Sequence, residues 1–184
     1  MKNNIQKMIK IIIFIQAIVL TQSCEKITCK DDALTIERTN NNSVKLRIDG
    51  YYYGDISGIN AEYPNIYLLY QNGIFSNANS YSLSDAETGN VTFNFPELKY
   101  QHKGDWGVYK IDDNDIEIEY WASRSCGGVG LLYERGTILN DTTFKILYWR
   151  HSVRGETERE ENVEAIFKFH EYTLKPDSTI KFIQ

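Results

Sequence analysis

The sequence predicts an all-β protein: an antiparallel up-and-down β-barrel of about eight to nine strands, with a β-sandwich as the alternative. Two observations lead there. Short runs rich in Tyr, Ile, Val, Phe and Trp alternate with polar residues and are separated at regular spacing by Asn, Asp and Gly. No stretch shows a persuasive amphipathic-helix period. Aromatic residues make up 13% of the chain, and Tyr, the most frequent of them, packs well on pleated strands.

In chain order, the first element is an export signal. Met1–Lys10 holds Lys2, Lys7 and Lys10, and Ile11–Leu20 is apolar apart from Gln16. That apolar stretch is about half the ~20 residues a membrane-spanning helix needs, and a short apolar core behind lysines reads as a signal segment. Small Ser23 stands directly before Cys24. This junction resembles the lipobox of bacterial lipoproteins, with Thr21 where an aliphatic residue is usual and Leu20 one place further out. The relaxed form is similar to that of Bacteroidota-type lipoproteins, and it implies diacylglyceryl transfer to the Cys24 thiol. The alternative is an ordinary secretory signal cleaved near Ser23. The expected organisation is a signal at 1–23, a lipidated leader at 24–33 and one barrel domain at 34–184. The expected place is the cell envelope, on the outer membrane through a lipid anchor.

Lipidation of Cys24 leaves Cys29 and Cys126 as an even pair, able to close a disulfide in an oxidising compartment. The rival arrangement keeps Cys29 as a free thiol in the leader. Removing 1–23 leaves 17 basic against 25 acidic side chains, a net charge of −8. That balance argues against a nucleic-acid partner, whose phosphates demand basic patches, and against electrostatic adhesion to anionic head groups. A lipid anchor needs no such help. The remaining ~160 residues suit one domain with one substantial core.

The strands follow from alternation. In Asp115–Trp121, Ile116, Ile118 and Tyr120 fall on one face and Glu117 and Glu119 on the other, because strand side chains alternate. Thr143–Trp149 sets Phe144, Ile146 and Tyr148 against Lys145. Asn162–Phe169 sets Val163, Ala165, Phe167 and Phe169 against Glu164 and Lys168. Each reads as a half-buried strand of an antiparallel sheet. Gln71-Asn72-Gly73 joins Asn65–Tyr70 to Ile74–Ser76, and Asn-Gly supplies the positive φ of tight hairpins. Asp112–Asp115 joins Gly107–Ile111 to Ile116–Ser123, and Leu139–Thr142 separates two further runs. Pro96–Gln101 is the best candidate for a helical turn. Asn40–Asn42 and Glu156–Glu161 read as solvated loops.

The order of Leu46–Tyr53, Ile66–Phe75, Trp106–Asp115, Gly136–Phe144 and Tyr172–Phe182 resembles the small lipocalin-like (calycin-type) bacterial lipoproteins. Their Gly-x-Tyr-x-Ile segment, the acidic turn and Ile that follow it, and their late Thr-x-Phe-x-Ile strand correspond to Gly107-Val108-Tyr109-Lys110-Ile111, to Asp112–Asp115 before Ile116, and to Thr142-Thr143-Phe144-Lys145-Ile146. The likeness implies a calycin-type barrel able to hold an apolar ligand, and it carries over no catalytic residue.

The chemistry-bearing residues are sparse. His102, His151 and His170 are dispersed, whereas zinc needs three or four convergent ligands, so neither a metal nor a cofactor is expected. Asp112–Asp115 lacks the glycine and later glutamate of a calcium loop and suits a hairpin turn. Cys126 before Gly127-Gly128 has no local base to activate it, so no catalytic residue is assigned. Arg124, Arg150, His151 and His170 are the polar side chains an enzyme reading would need to converge. The favoured function is binding: Tyr70, Phe144, Tyr148, Phe167 and Phe169 take inward positions and line a cavity for a small apolar ligand. The alternatives are a non-catalytic interaction or structural lipoprotein with a filled core, and exposed tyrosines at Tyr51–Tyr53 as a partner surface.

Overall fold

The computed structural model describes residues 31–41, 45–56, 64–78, 81–93, 103–104, 106–123, 128–175 and 177–183. Eight antiparallel strands follow one another around a closed barrel: β1 (Gly50–Gly54), β2 (Asn65–Leu69), β3 (Ile74–Asn77), β4 (Trp106–Asp112), β5 (Asp115–Ser123), β6 (Val129–Asn140), β7 (Thr143–Val153) and β8 (Glu156–Glu171). Every neighbour in sequence is a neighbour in space. Closure comes from β1 pairing with β8, with Tyr52 opposite Phe169, so neither strand is left with an open edge.

Inward positions obey the alternation. Tyr52, Tyr67, Leu69, Phe75, Tyr109, Ile116, Ile118, Tyr120, Phe144, Ile146, Ala165 and Phe167 form one buried cluster inside the barrel. Aromatic rings fill its centre: Phe144 and Phe167 stack at 5.0 Å, Phe167 and Tyr67 at 4.5 Å, and Tyr67 meets Phe75 edge-on at 4.8 Å. Gly107 makes room for this packing. A Cβ there would come within 2.0 Å of the Glu119 carbonyl oxygen and 2.5 Å of Tyr120 Cα.

Residues 45–49 close one end. Arg47 N–H donates to the Asp141 carbonyl (2.9 Å), the Lys45 ammonium pairs with Asp113, and the Tyr52 hydroxyl donates to the Arg47 carbonyl (3.0 Å). Leu46 is buried beneath them. The β2–β3 hairpin turns at the same end on Gly73, whose φ of +78° suits glycine; its N–H donates to the Tyr70 carbonyl at 2.9 Å.

A second apolar layer covers the outside of β1–β5. Tyr51, Ile66, Leu68, Ile74, Trp106 and Trp121 face outward yet are buried, beneath a short helix, α1 (Leu83–Thr88), and the C-terminal segment with Ile180 and Phe182. The helix is absent from the sequence expectation. Its signals are local, with Ser82 capping the Asp85 N–H and Gly89 at φ +76°, but six residues are too few to show a period. Lys175 pins the C-terminal segment by donating from Nζ to the carbonyls of Ile48 (2.6 Å) and Leu69, and burial lowers its pKa to about 7.

The chain before β1 straps the barrel too. Both oxygens of buried Glu119 accept from this segment: from Thr35 N–H and Oγ1 (2.7 Å) and from Ile36 N–H (3.0 Å). Asp32 N–H donates to the Val129 carbonyl at 3.1 Å, and the Arg154 N–H donates to Asp32 Oδ2 at 2.7 Å, so the strap begins at the end away from residues 45–49. Asp31 and Asp32 thus lie against the barrel. Glu119→Ala should cost about 1–3 kcal/mol, the range for leaving a buried hydrogen-bonding group without its partner. Hydrogen exchange should show the Thr35 and Ile36 amides losing protection while the strand amides keep theirs.

Two further expectations are corrected. Glu156–Glu161 is not a loop but the first part of β8, paired with β7 from Val153↔Glu156 to Trp149↔Glu161, so its charges decorate a long hairpin. The acidic turn shrinks to Asp113-Asn114, with Asp113 at φ +51°. Pro96–Gln101, His102, Arg124 and the three cysteines lie outside the described residues.

Candidate functional site

The inner face of β6 runs Leu132, Glu134, Gly136, Ile138, while Tyr133, Arg135 and Thr137 face out. Alternation therefore delivers a carboxyl into the apolar interior. Glu134 is 1% exposed, and both its oxygens accept from tyrosine hydroxyls: Tyr67 Oη on β2 (2.8 and 2.9 Å) and Tyr120 Oη on β5 (2.8 Å). Tyr67 reaches it from across the barrel. Its ring is itself held between Phe75 and Phe167, and Tyr120 packs 5.0 Å from Phe75.

Two effects compete at this carboxyl. Removal from water favours the neutral acid, whereas two donated hydrogen bonds favour the anion. Burial wins, raising Glu134 to about 7, and the same burial drives the Tyr67 phenol well up. Glu134 thus exchanges its proton near neutrality inside a barrel. Ionisable groups with this combination of burial, fixed partners and shifted pKa concentrate at functional sites.

A second buried polar atom lies on the inner face. Asn77 shares the face of Phe75, is the register partner of Tyr67, and is 6% exposed, and its Oδ1 has no hydrogen-bond partner among the described residues. An unmade bond at a buried acceptor costs about 1–3 kcal/mol. Leu132 and Val163 are partly buried against the same core, and Trp149, register partner of Glu134, continues the inner face away from residues 45–49.

The five residues predicted to line the cavity divide. Phe144 and Phe167 point inward and are fully buried, and Phe169 packs against the same cluster beside Tyr52 at 5.3 Å. Tyr70 does not point inward. The inward positions of β2 are Tyr67 and Leu69, so Tyr70 falls in the outer layer, under the Lys175 ammonium at 4.3 Å. Tyr148 is also outside. A register irregularity between Ile146 and Tyr148 inserts Leu147, which is 40% exposed, and reverses the face of the next strand residues. Tyr148 packs instead on outward Tyr133 at 6.3 Å and donates its hydroxyl to Glu160.

The polar residues of the enzyme reading do not converge either. Arg150 stands on the outer face, His151 pairs with Glu158 at 3.3 Å, and His170 stacks on Tyr51 at 5.3 Å. Among the described residues, no group of three or more His, Cys, Asp or Glu could hold a metal ion. Tyr51–Tyr53 do not form an exposed surface: Tyr51 and Tyr52 are buried on opposite faces of β1. Sequence reasoning missed Glu134 and Asn77. Both sit in phase with apolar neighbours, Glu134 between Leu132 and Ile138 and Asn77 after Phe75, and a charged or amide residue in phase with a buried face is the signal that finds them.

Fold and interior together define a closed eight-stranded up-and-down barrel with a buried carboxyl held by two tyrosines. No family model, curated protein or solved structure matches the chain.

Proposed function

We propose that this is a lipid-anchored binding protein of the cell envelope, whose lipocalin-like barrel takes a small, mostly apolar molecule. The guest's one polar donor meets the interior tier of Asn77 and Glu134. The observation that carries the reading is the buried Oδ1 of Asn77, without a hydrogen-bond partner among the described residues, on the inner face of a mainly aromatic interior that also holds the buried Glu134 carboxyl. A molecule donating a hydrogen bond there supplies what the protein alone leaves unmade.

The strap supports a definite geometry for the tether. Asp31 and Asp32 bind Val129 and Arg154 at the end opposite residues 45–49. Seven residues beyond Asp31 lies Cys24, and a chain of that length reaches at most ~25 Å. An acyl anchor on Cys24 would hold the far end of the barrel toward the bilayer, where apolar guests partition.

A second reading is favoured by the stack of Phe144, Phe167 and Tyr67, which fills the barrel centre and suits an interaction lipoprotein with a solid core. Mass spectrometry of the protein taken from its native membrane separates the two. The denatured mass should show an acylated chain beginning at Cys24, and the native mass should exceed it by a small-molecule passenger that is lost in Asn77→Leu. An acylated chain without a passenger favours the solid-core reading. An unmodified chain overturns the anchor.

A further inference from the structure

A groove of about 590 Å³ crosses the outer face of the barrel, away from the interior tier, between the strap and strands β4–β7. Its floor is a two-by-two block on adjacent strands: Tyr133 is opposite Arg150, and Arg135 is opposite Tyr148. The two tyrosines occupy one diagonal and touch at 6.3 Å. The two arginines occupy the other, and diagonal neighbours on a sheet lie about 7–8 Å apart, within reach of long side chains.

The carboxylates nearest these arginines are already engaged. Glu117, opposite Arg135, takes the Lys110 ammonium at 2.6 Å and the Tyr133 hydroxyl. Glu160, opposite Arg150, takes the Tyr148 hydroxyl. Each guanidinium instead faces an aromatic ring: Arg150 lies over Tyr133 at 5.1 Å and Arg135 over Tyr148 at 5.8 Å. Among the described residues, neither forms an ion pair with a carboxylate, and Arg150 Nε is buried without a hydrogen-bond partner. Two like charges on diagonal positions, both with donors that no hydrogen bond uses, repel less when an anion comes between them. Contact with the tyrosine rings restricts both side chains, which lowers the entropy lost when a forked contact forms.

We propose that this groove is an oxyanion site, in which Arg135 and Arg150 bridge one carboxylate or phosphate group of a ligand and Lys110 flanks it. Guanidinium forks match both groups in a planar, two-bond geometry, so the chemistry is shared and the carrier is what remains to be identified. Glu37 on the strap and Glu117 on β5, the latter neutralised by Lys110, line the same groove and disfavour a second anionic group on the ligand. The site is separate from the barrel interior, and each stands or falls alone.

The test titrates the folded protein with inorganic phosphate and with glucuronate, following arginine Nε–H resonances, with glucose as the neutral control. One of the two anions should shift the Arg135 and Arg150 signals saturably, and should raise the melting temperature above that in chloride of equal ionic strength. The tighter of the two tells a phosphate carrier from a carboxylate carrier. Arg135→Gln and Arg150→Gln should each weaken binding about tenfold, the worth of one charge-assisted hydrogen bond. The proposal is overturned if neither anion gives a saturable shift up to about 50 mM, well above a millimolar dissociation constant. It is equally overturned if the Gln variants bind as the parent does, whatever their melting temperatures, because the arginines then serve only packing.

Discussion

Phe167→Ala should remove about 3–5 kcal/mol of stability, the range for deleting a buried phenyl ring and leaving its cavity. The ring is 0% exposed and stacked on both sides, parallel to Phe144 at 5.0 Å and near-parallel to Tyr67 at 4.5 Å. Tyr67 is also a donor to Glu134, so the gap loosens the phenol that satisfies the buried acid. Against a usual total of about 5–15 kcal/mol, such a loss brings the barrel close to unfolding at body temperature. Urea denaturation should show a lowered midpoint at unchanged slope. Tyr148→Ala is the control, since it removes an outer-face ring and one hydrogen bond to Glu160 and should cost less than about 1 kcal/mol. Equal losses for the two variants would contradict the reversal of face at Leu147.

Stability should fall as pH rises from 4.5 to about 7, and Glu134→Gln should abolish that fall. Glu134 titrates near the ordinary 4.5 when unfolded and at about 7 when folded, so between those values the native state holds a proton the unfolded chain has lost. The sign is therefore fixed. The contribution is complete below 4.5, declines through the interval and is gone above about 7, amounting to ~3 kcal/mol at 1.36 kcal/mol per unit. Glutamine keeps the shape and still accepts from Tyr67, but it has no proton to lose. Parent and variant should therefore be closest in acid, and the variant relatively more stable at pH 8. Other shifted groups act elsewhere. Asp49 and Asp113 are held below their ordinary values by Arg47 and Lys45, so they act at lower pH, and Lys175, lowered by burial, acts above about 7 with the opposite sign. Parallel stability curves for the parent and Glu134→Gln from pH 4.5 to 7 would show that the carboxyl is not desolvated in the folded protein.

Both predictions depend on which face each residue presents, and that was only partly legible in the sequence. Ile116, Ile118 and Tyr120, and likewise Ala165 and Phe167, lie inside as their alternation requires, because a regular strand carries its phase from one residue to the next. Tyr148 continues the series Phe144, Ile146 without a break in the letters, yet it lies outside. An irregularity in pairing is a property of two strands, and neither strand states it alone. Tyr70 failed differently: β2 stops at Leu69, and the outward position of Tyr70 is covered by a C-terminal segment about a hundred residues away in sequence.

The acidic start of β8 shows the same division. Glu156–Glu161 has the composition of a solvated loop and is solvated, but pairing with β7 makes it strand. Alternation and turn chemistry alone were enough for the all-β class and the position of most turns, with a barrel or a sandwich still open, because both are local and survive without knowledge of partners. Long-range packing set the closure of the barrel through β1 and β8, the meeting of Glu134 with hydroxyls from two other strands, and the placing of Arg135 and Arg150 on diagonal positions of the outer face. Those facts rest on contacts between residues distant in the chain, whose energies come from burial and pairing that no local pattern encodes.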